Sequence, residues 1–255
     1  MASASSILKQ IRGASADAID FCFPPTCRVC DARAQRWPLC EDCHTAMLEL
    51  ERGDYCTLCA LPVAERGAPC PYCLGEGLFP FDRVLRLANY QEPIKPLVVA
   101  MKFHHAWPIG EFFAGRLFAQ QAIRDLLSTA DLIVPVPLHP RRQVARGYNQ
   151  AEVIARRLGK FGRVPVRQVA ARLADTHAQS LTQSKSLRIE NLRHAFGLLY
   201  PKQVAGRNVI LLDDVRTTAA TLQSLGRCIR SGKPARLSAI VVATADPRHS
   251  NFEEI

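Results

Sequence analysis

The chain has 255 residues, 48% of them hydrophobic and 22% charged, with a formal net charge of +10 at pH 7. That length and balance predict one large or two unequal folded domains and exclude a disordered or fibrous chain. No window holds the ~20 consecutive apolar residues of a membrane-spanning helix, so no membrane insertion is expected.

Residues 1–21 carry no apolar core of a secretory signal, which predicts a cytoplasmic protein. Ile7, Leu8, Ile11 and Ile19 instead predict a short amphipathic helix lying on the body of the protein. Nine of the ten cysteines come before residue 74. Eight of them form Cys-x-x-Cys pairs: Cys27 with Cys30, Cys40 with Cys43, Cys56 with Cys59, and Cys70 with Cys73. Each pair makes a tight knuckle whose amides support a metal-bound thiolate, and two knuckles supply four sulfurs for a tetrahedral zinc site. Nine residues separate the first two pairs and ten the last two, the gap of a zinc ribbon, and the two halves read as an internal repeat. Two structural zinc ions are expected, held most simply by 27/30/40/43 and 56/59/70/73, with an interleaved pairing left open. Disulfides are the competing explanation and fit poorly with a cytoplasmic chain. A redox role accounts for one such pair but not for four. His44, next to Cys43, is an alternative ligand, with a surface position the expectation. Cys22 and Cys228 lack a paired spacing and are expected in packing roles. A segment this small and rich in Gly and Pro needs the metal to fold. The expected division is a metal-binding domain over residues 1–80 and a second domain over 81–255.

Beyond residue 80 the pattern alternates between strands and helices. Residues 81–90 read as a strand, Pro93 opens a helix carrying Lys102, and residues 110–127 form a second, strongly apolar helix. Residues 131–137 are a buried strand that ends at Pro135 and Pro137. Residues 138–149 read as a basic loop and lead into a helix that runs to about Leu158. Residues 164–169 are a strand, and the polar, aperiodic stretch 176–190 reads as a mobile loop. Strands follow at 195–200, 209–213 and 237–244, with a helix-like stretch to Arg230 between the last two. This order implies an α/β fold, a mostly parallel sheet flanked by helices with right-handed crossovers.

The run Val209-Ile-Leu-Leu-Asp-Asp-Val-Arg-Thr-Thr-Ala-Ala-Thr-Leu222 is the most informative segment. Its apolar start reads as a strand buried on both faces, and Asp213 and Asp214 fall at the carboxyl end, where open α/β sheets bind ligands. The loop that follows offers hydroxyls and free backbone N–H groups at a helix N-terminus, a ready anion site. Carboxylates for vicinal hydroxyls beside amides for a phosphate describe a pocket for a sugar phosphate. A buried strand with a Thr-capped helix accounts for less of the pattern, because it leaves the two adjacent acids unexplained. The segment resembles the phosphoribosyl-pyrophosphate (PRPP) signature of type I phosphoribosyltransferases. The resemblance implies that Asp213 and Asp214 hold the ribose hydroxyls. It implies that Val215, Arg216, Thr217, Thr218, Ala219, Ala220 and Thr221 cradle the 5′-phosphate, with Mg²⁺ accompanying PRPP. The family usually has glycine where this chain has Ala219; glycine permits a positive φ and close approach to an anion, so shifted or weakened phosphate binding is expected here.

Charge is unevenly placed. Seven basic residues against ten acids leave −3 over residues 1–80, so residues 81–255 carry +13. Arginines at 141, 142, 146, 156, 157, 163, 167 and 172, with Lys160, face only Glu152 in one stretch, which calls for an anionic partner. Arg141, Arg142 and Arg146 leave the same strand edge as Asp213 and are candidates for pyrophosphate through bidentate forks. With the cysteine pairs upstream, Pro135-Val-Pro137, Arg146-Gly-Tyr-Asn-Gln150, the Arg172, Gln179, Leu181, Arg188, Asn191 spacing and Ala195-Phe196, the chain resembles the ComF family of competence-associated phosphoribosyltransferase-like proteins. That resemblance implies a double zinc-ribbon N-terminus before a type I phosphoribosyltransferase-like domain, a flexible hood near residues 179–188, and a link to competence and the uptake or use of DNA. Two other functions stay open on the residues: a PRPP- or nucleotide-sensing regulator without turnover, and a single-stranded-DNA-binding accessory protein acting with a helicase partner.

Overall fold

The computed structural model describes residues 25–35, 37–65, 67–173 and 195–246. The helix expected within residues 1–21, Cys22, and the polar stretch 176–190 lie outside the described residues.

Four parallel strands form the central sheet in the order β1 (Arg83–Asn89), β6 (Arg236–Thr244), β5 (Asn208–Arg216), β2 (Leu132–Pro135). β5 and β6 hold the middle, which is why their apolar runs are continuous rather than alternating. β1, within the strand expected over 81–90, is buried from Val84 to Ala88. Its free edge is covered near its start, where the Val84 N–H donates to the Thr57 carbonyl at 2.9 Å, so the cysteine-rich segment closes an otherwise open sheet edge. A separate two-stranded antiparallel ribbon joins β3 (Ala170–Arg172) and β4 (Phe196–Leu198).

Seven helices are described. α1 (Glu41–Arg52) lies in the cysteine-rich segment, and α2 (Ile94–Phe103), α3 (Pro108–Ala119) and α4 (Gln121–Ser128) follow β1. α5 (Pro140–Arg146) and α6 (Gln150–Gly162) follow β2, and α7 (Ala220–Ser231) connects β5 to β6. α6 turns Ala151, Ile154, Ala155 and Leu158 inward at helical spacing and leaves Glu152, Arg156, Arg157 and Lys160 outside. One core gathers α1 to α4, α6 and one sheet face; the other gathers the second cysteine group, α7 and the opposite face.

Three local readings need correction. The single helix expected over 110–127 is broken at Gln120, whose backbone is extended and whose side-chain amide donates to the Leu87 carbonyl at 3.1 Å; that contact holds the break open. The strand expected at 164–169 reduces to one bridge between Val166 and Ile133, because Pro165 has no N–H to contribute to a ladder. The basic loop expected over 138–149 contains α5, with Pro140 at its start and Gly147 closing it at φ 74°.

The docking of α6 against β2 depends on Gly159. A methyl group there would lie 2.6 Å from Val166 Cγ2 and 2.7 Å from the Val164 carbonyl oxygen. Gly159→Ala is expected to destabilise the protein by about 1–3 kcal/mol through overpacking, as read by urea denaturation.

Candidate functional site

The Arg146-Gly-Tyr-Asn-Gln150 motif is a joint between two helices. Gly147 supplies the left-handed residue that ends α5. Tyr148 donates its hydroxyl proton to the Met101 carbonyl on α2. Asn149 is the N-cap of α6, accepting from the Ala151 N–H at 3.1 Å and donating to the Val136 carbonyl at 2.9 Å. Gln150, buried, donates to the Met101 carbonyl at 3.5 Å and accepts from Arg146 at 3.2 Å. These bonds fix α5 and α6 at the carboxyl ends of β2 and β5.

A cavity of about 200 Å³ opens there. Asp213, Asp214, Val215, Thr217 and Thr221 line it from β5 and its loop, Arg142, Arg146, Asn149 and Gln150 from the joint, and Tyr90, Lys102, Phe103 and Arg172 from elsewhere. Of the three candidate arginines, Arg142 and Arg146 face the cavity and Arg141 is exposed outside it. Helical spacing is the reason: 142 and 146 are four apart and share a face, whereas 141 is turned away by about a quarter of a turn. Among the loop residues, Arg216, Thr218, Ala219 and Ala220 do not line the cavity.

Each acid is held by a backbone amide. Asp213 Oδ1 accepts from the Asp214 N–H at 2.9 Å, and Asp214 Oδ1 accepts from the Val215 N–H at 2.7 Å. Lys102 Nζ lies 3.4 Å from Asp214 Oδ2, with both side chains 13% exposed. Burial, followed by the charge of Asp214, pushes the Asp213 carboxyl up to about 8, against the opposing pull of the Asp214 N–H, Lys102 and Arg172. Arg146 stacks over the Phe103 ring at 5.3 Å, and burial lowers its affinity for a proton while Asp214 raises it. Lys102 and Phe103 end α2, more than a hundred residues from Asp213 in sequence, and no local signal placed them in the site.

Ala219 sits at the N-cap of α7 with φ 63° and ψ 1°, the left-handed conformation that glycine adopts freely. The loop therefore keeps the backbone that the family's glycine would give, and alanine bears strain on the order of 1 kcal/mol instead of moving the chain. Thr218 Oγ1 accepts from the Ala220 N–H at 3.4 Å.

The eight paired cysteines assemble in sequence order, 27/30/40/43 and 56/59/70/73, with the four sulfurs of each group within 4.8 Å of one another. The interleaved pairing is not formed, and His44 belongs to neither group. Sulfur–sulfur distances of 3.5 and 3.7 Å in the first group, and 3.6 and 3.7 Å in the second, match the edge of about 3.8 Å expected from Zn–S bonds of about 2.3 Å. Three of the four knuckles close on a left-handed residue, Asp31, Ala60 or Leu74, directly after the second cysteine, while Cys43 lies in the first turn of α1. Both groups fit structural zinc.

Residues 25–246 thus combine two four-cysteine centres with a parallel sheet whose carboxyl edge carries an acidic pair. Over 199 residues the chain is 31% identical to Competence protein F of Haemophilus influenzae, covering 75% of this chain and 84% of that protein. The chain belongs to the ComF family. It is also 31% identical over 213 residues to the DNA utilization protein YhgH of Salmonella typhimurium, covering 81% of this chain and 91% of that protein. No family model matches the chain. Among solved structures it is similar to the HGPRT-ase of Leishmania tarentolae in complex with GMP, with a TM-score of 0.28 and 20% identity over 56% of this chain and 77% of that one. Among the described residues of this ComF protein, no helix is long and apolar enough to cross a membrane.

Two outcomes follow from the site. A carboxyl raised in the folded state contributes stability that is full below its ordinary value of 3.8 and is lost as pH rises through about 8. Asp213→Asn removes that loss and should melt higher than the parent at about pH 9, with the gap closing toward about pH 4 in a series of melting curves. Ala219→Gly should stabilise the protein by no more than about 0.5 kcal/mol, the strain of about 1 kcal/mol being offset by roughly 0.4–1 kcal/mol from the freer unfolded chain, as read by denaturant titration.

Proposed function

We propose that the cavity binds PRPP or a closely related phosphoribosyl compound with Mg²⁺. The observation that carries the reading is the acidic pair Asp213 and Asp214 at the carboxyl end of β5, facing the same cavity as Thr217, Thr221, Arg142 and Arg146. The two carboxylates would accept hydrogen bonds from the vicinal ribose hydroxyls. Thr217, Thr221 and the loop amides would hold the 5′-phosphate at the start of α7. Arg142, Arg146 and Lys102 would face the pyrophosphate, and Mg²⁺ when bound would offset its remaining charge. Arg146 comes preset for that task, because Gln150 and the Phe103 ring fix its guanidinium before any ligand arrives. Burial, then the charge of Asp214, favours the protonated form of Asp213 in the empty site, and the arrival of cationic or hydrogen-bond-donating ligand groups would release that proton. The acceptor of a phosphoribosyl group, if transfer follows binding, would enter beside Phe103 and Tyr90. The names of the relatives support a role in competence and DNA utilisation.

Calorimetric titration with PRPP and Mg²⁺ tests the reading. Combined Asp213→Asn and Asp214→Asn should weaken binding at least about tenfold, since each hydrogen bond to a charged group contributes about 1.5–3 kcal/mol. Arg146→Ala should weaken it far more than Arg157→Ala, because Arg157 lies on the outer face of α6, stacked on Phe161 at 4.8 Å. Unchanged affinity in the double acid variant would place the ribose elsewhere. No PRPP binding, together with equal losses of single-stranded DNA affinity from both arginine substitutions, would replace this reading with a distributed nucleic-acid grip.

A further inference from the structure

Arg86 and Arg216 are the only cationic residues among the described residues that are buried, at 0% and 7% exposure. Arg86 sits in the middle of β1, and Arg216 ends β5. Register pairs Thr244 of β6 with both Asn89 and Arg216, so the two arginines flank one short stretch of sheet. Arg86 donates to Asn89 Oδ1 and lies over the Tyr55 ring at 5.0 Å. Its Nε and Nη2, and Nε and Nη1 of Arg216, are buried without a hydrogen-bond partner. Two buried cations with open donors are costly unless negative charge stands beside them.

Backbone and side-chain bonds set the second cysteine group beside them. The N–H of Val84, two residues before Arg86, donates to the Thr57 carbonyl between Cys56 and Cys59. Tyr72, between Cys70 and Cys73, donates to Asp246 Oδ1 at 3.4 Å, and the neighbouring Ala245 N–H donates to the Arg216 carbonyl at 2.9 Å. Burial opposes the cationic form of Arg216, and what favours it is Cys59, then Cys70, then Cys73. For Arg86 burial again dominates and the charge of Arg216 also opposes the cation, while Tyr55, Asp246 and, least, Cys59 favour it. Four thiolates around one Zn²⁺ leave a net charge of −2, which two guanidiniums balance. Each cysteine group has two buried residues, but the first has Cys30 exposed to water, whereas the second has Cys59 and Cys70 buried against the sheet and no exposed cysteine.

We propose that Arg86 and Arg216 are the positioning counter-charges of a zinc–tetrathiolate centre at Cys56, Cys59, Cys70 and Cys73. Arg216 thereby leaves the phosphate loop's binding set and serves the metal centre from the opposite end of its strand residue. The inference is independent of what the cavity binds. Arg216 directly precedes Thr217, so the same counter-charge would stand next to the cavity loop.

The test uses the full chain carrying two equivalents of zinc. Zinc release to excess chelator is followed with a colorimetric indicator, and alkylation of each cysteine is read by peptide mass spectrometry. In Arg216→Met, one equivalent should leave at least about tenfold faster, with Cys56, Cys59, Cys70 and Cys73 becoming reactive, as is usual when groups supporting a metal's ligands are lost. Cys27, Cys30, Cys40 and Cys43 should keep their parental protection. Arg216→Lys should recover most of the retention, and Arg86→Met should act in the same direction as Arg216→Met. If Arg216→Met yields no folded protein, Arg86→Met decides by the same readout. Parental release rates in both methionine variants would overturn the proposal, and so would equal loosening of both centres, which marks general destabilisation rather than lost counter-charge.

Discussion

Two carboxylates side by side at the end of a buried strand repel each other, and the cavity is organised around that repulsion. Asp213 and Asp214 cannot both ionise cheaply in a site half withdrawn from water. The chain answers with a backbone N–H for each carboxylate and with Lys102 against Asp214. Arg142, Arg146 and Arg172 complete a ring of positive charge around the same space. A protein selected for stability alone would replace the pair with apolar residues, as at Leu211 and Leu212 just before it. The proposed binding role accounts for the pair, since the free energy lost in the empty state would be available when a ligand arrives.

The scaffold that holds this charge is built from hydrogen bonds between elements far apart in sequence. Tyr148 and Gln150 both reach the Met101 carbonyl, and Asn149 reaches the Val136 carbonyl while capping α6. Three neighbouring residues therefore join α2, β2 and α6 at one corner. Met101 precedes Lys102, so the bonds that fix the joint also fix the lysine that faces Asp214. Rigidity of this kind suits a site in which charges must be in place before the ligand.

The cysteine groups are part of the same body, not an appendage to it. Cys27, Cys40 and Met47 pack into the core that includes α2, α3 and one sheet face, while Cys59, Ala60 and Cys70 pack into the other. Arg116 on α3 grips Glu51 on α1 with two hydrogen bonds of 2.9 and 2.7 Å, a bidentate pair that ties the first group down. The second group stands over the sheet at the end where Arg86 and Arg216 are buried. The second cysteine group, the sheet edge and the cavity loop are consequently neighbours.

Spacing alone determined the cysteine chemistry, because four identical knuckles repeat at ribbon intervals and a thiolate's role depends on its partners in sequence. It also determined the buried strand and its acids, since an uninterrupted apolar run followed by two carboxylates has few other uses. The order of strands and helices was legible for the same reason, periodicity being a local property. What the sequence left open were features set by groups distant along the chain. Whether the cysteine pairs join in order or interleave is a matter of which knuckles face each other. The break at Gln120 arises from a bond to Leu87, and the helix over Pro140–Arg146 turned a presumed loop into a face that presents Arg142 and Arg146 but not Arg141. Lys102 and Phe103 entered the site only because α2 packs beside the strand ends. Arg86 lay in an expected strand and Arg216 in the expected phosphate loop, and neither was legible as buried, because burial is a property of the assembled layers and no residue's neighbours in sequence report it.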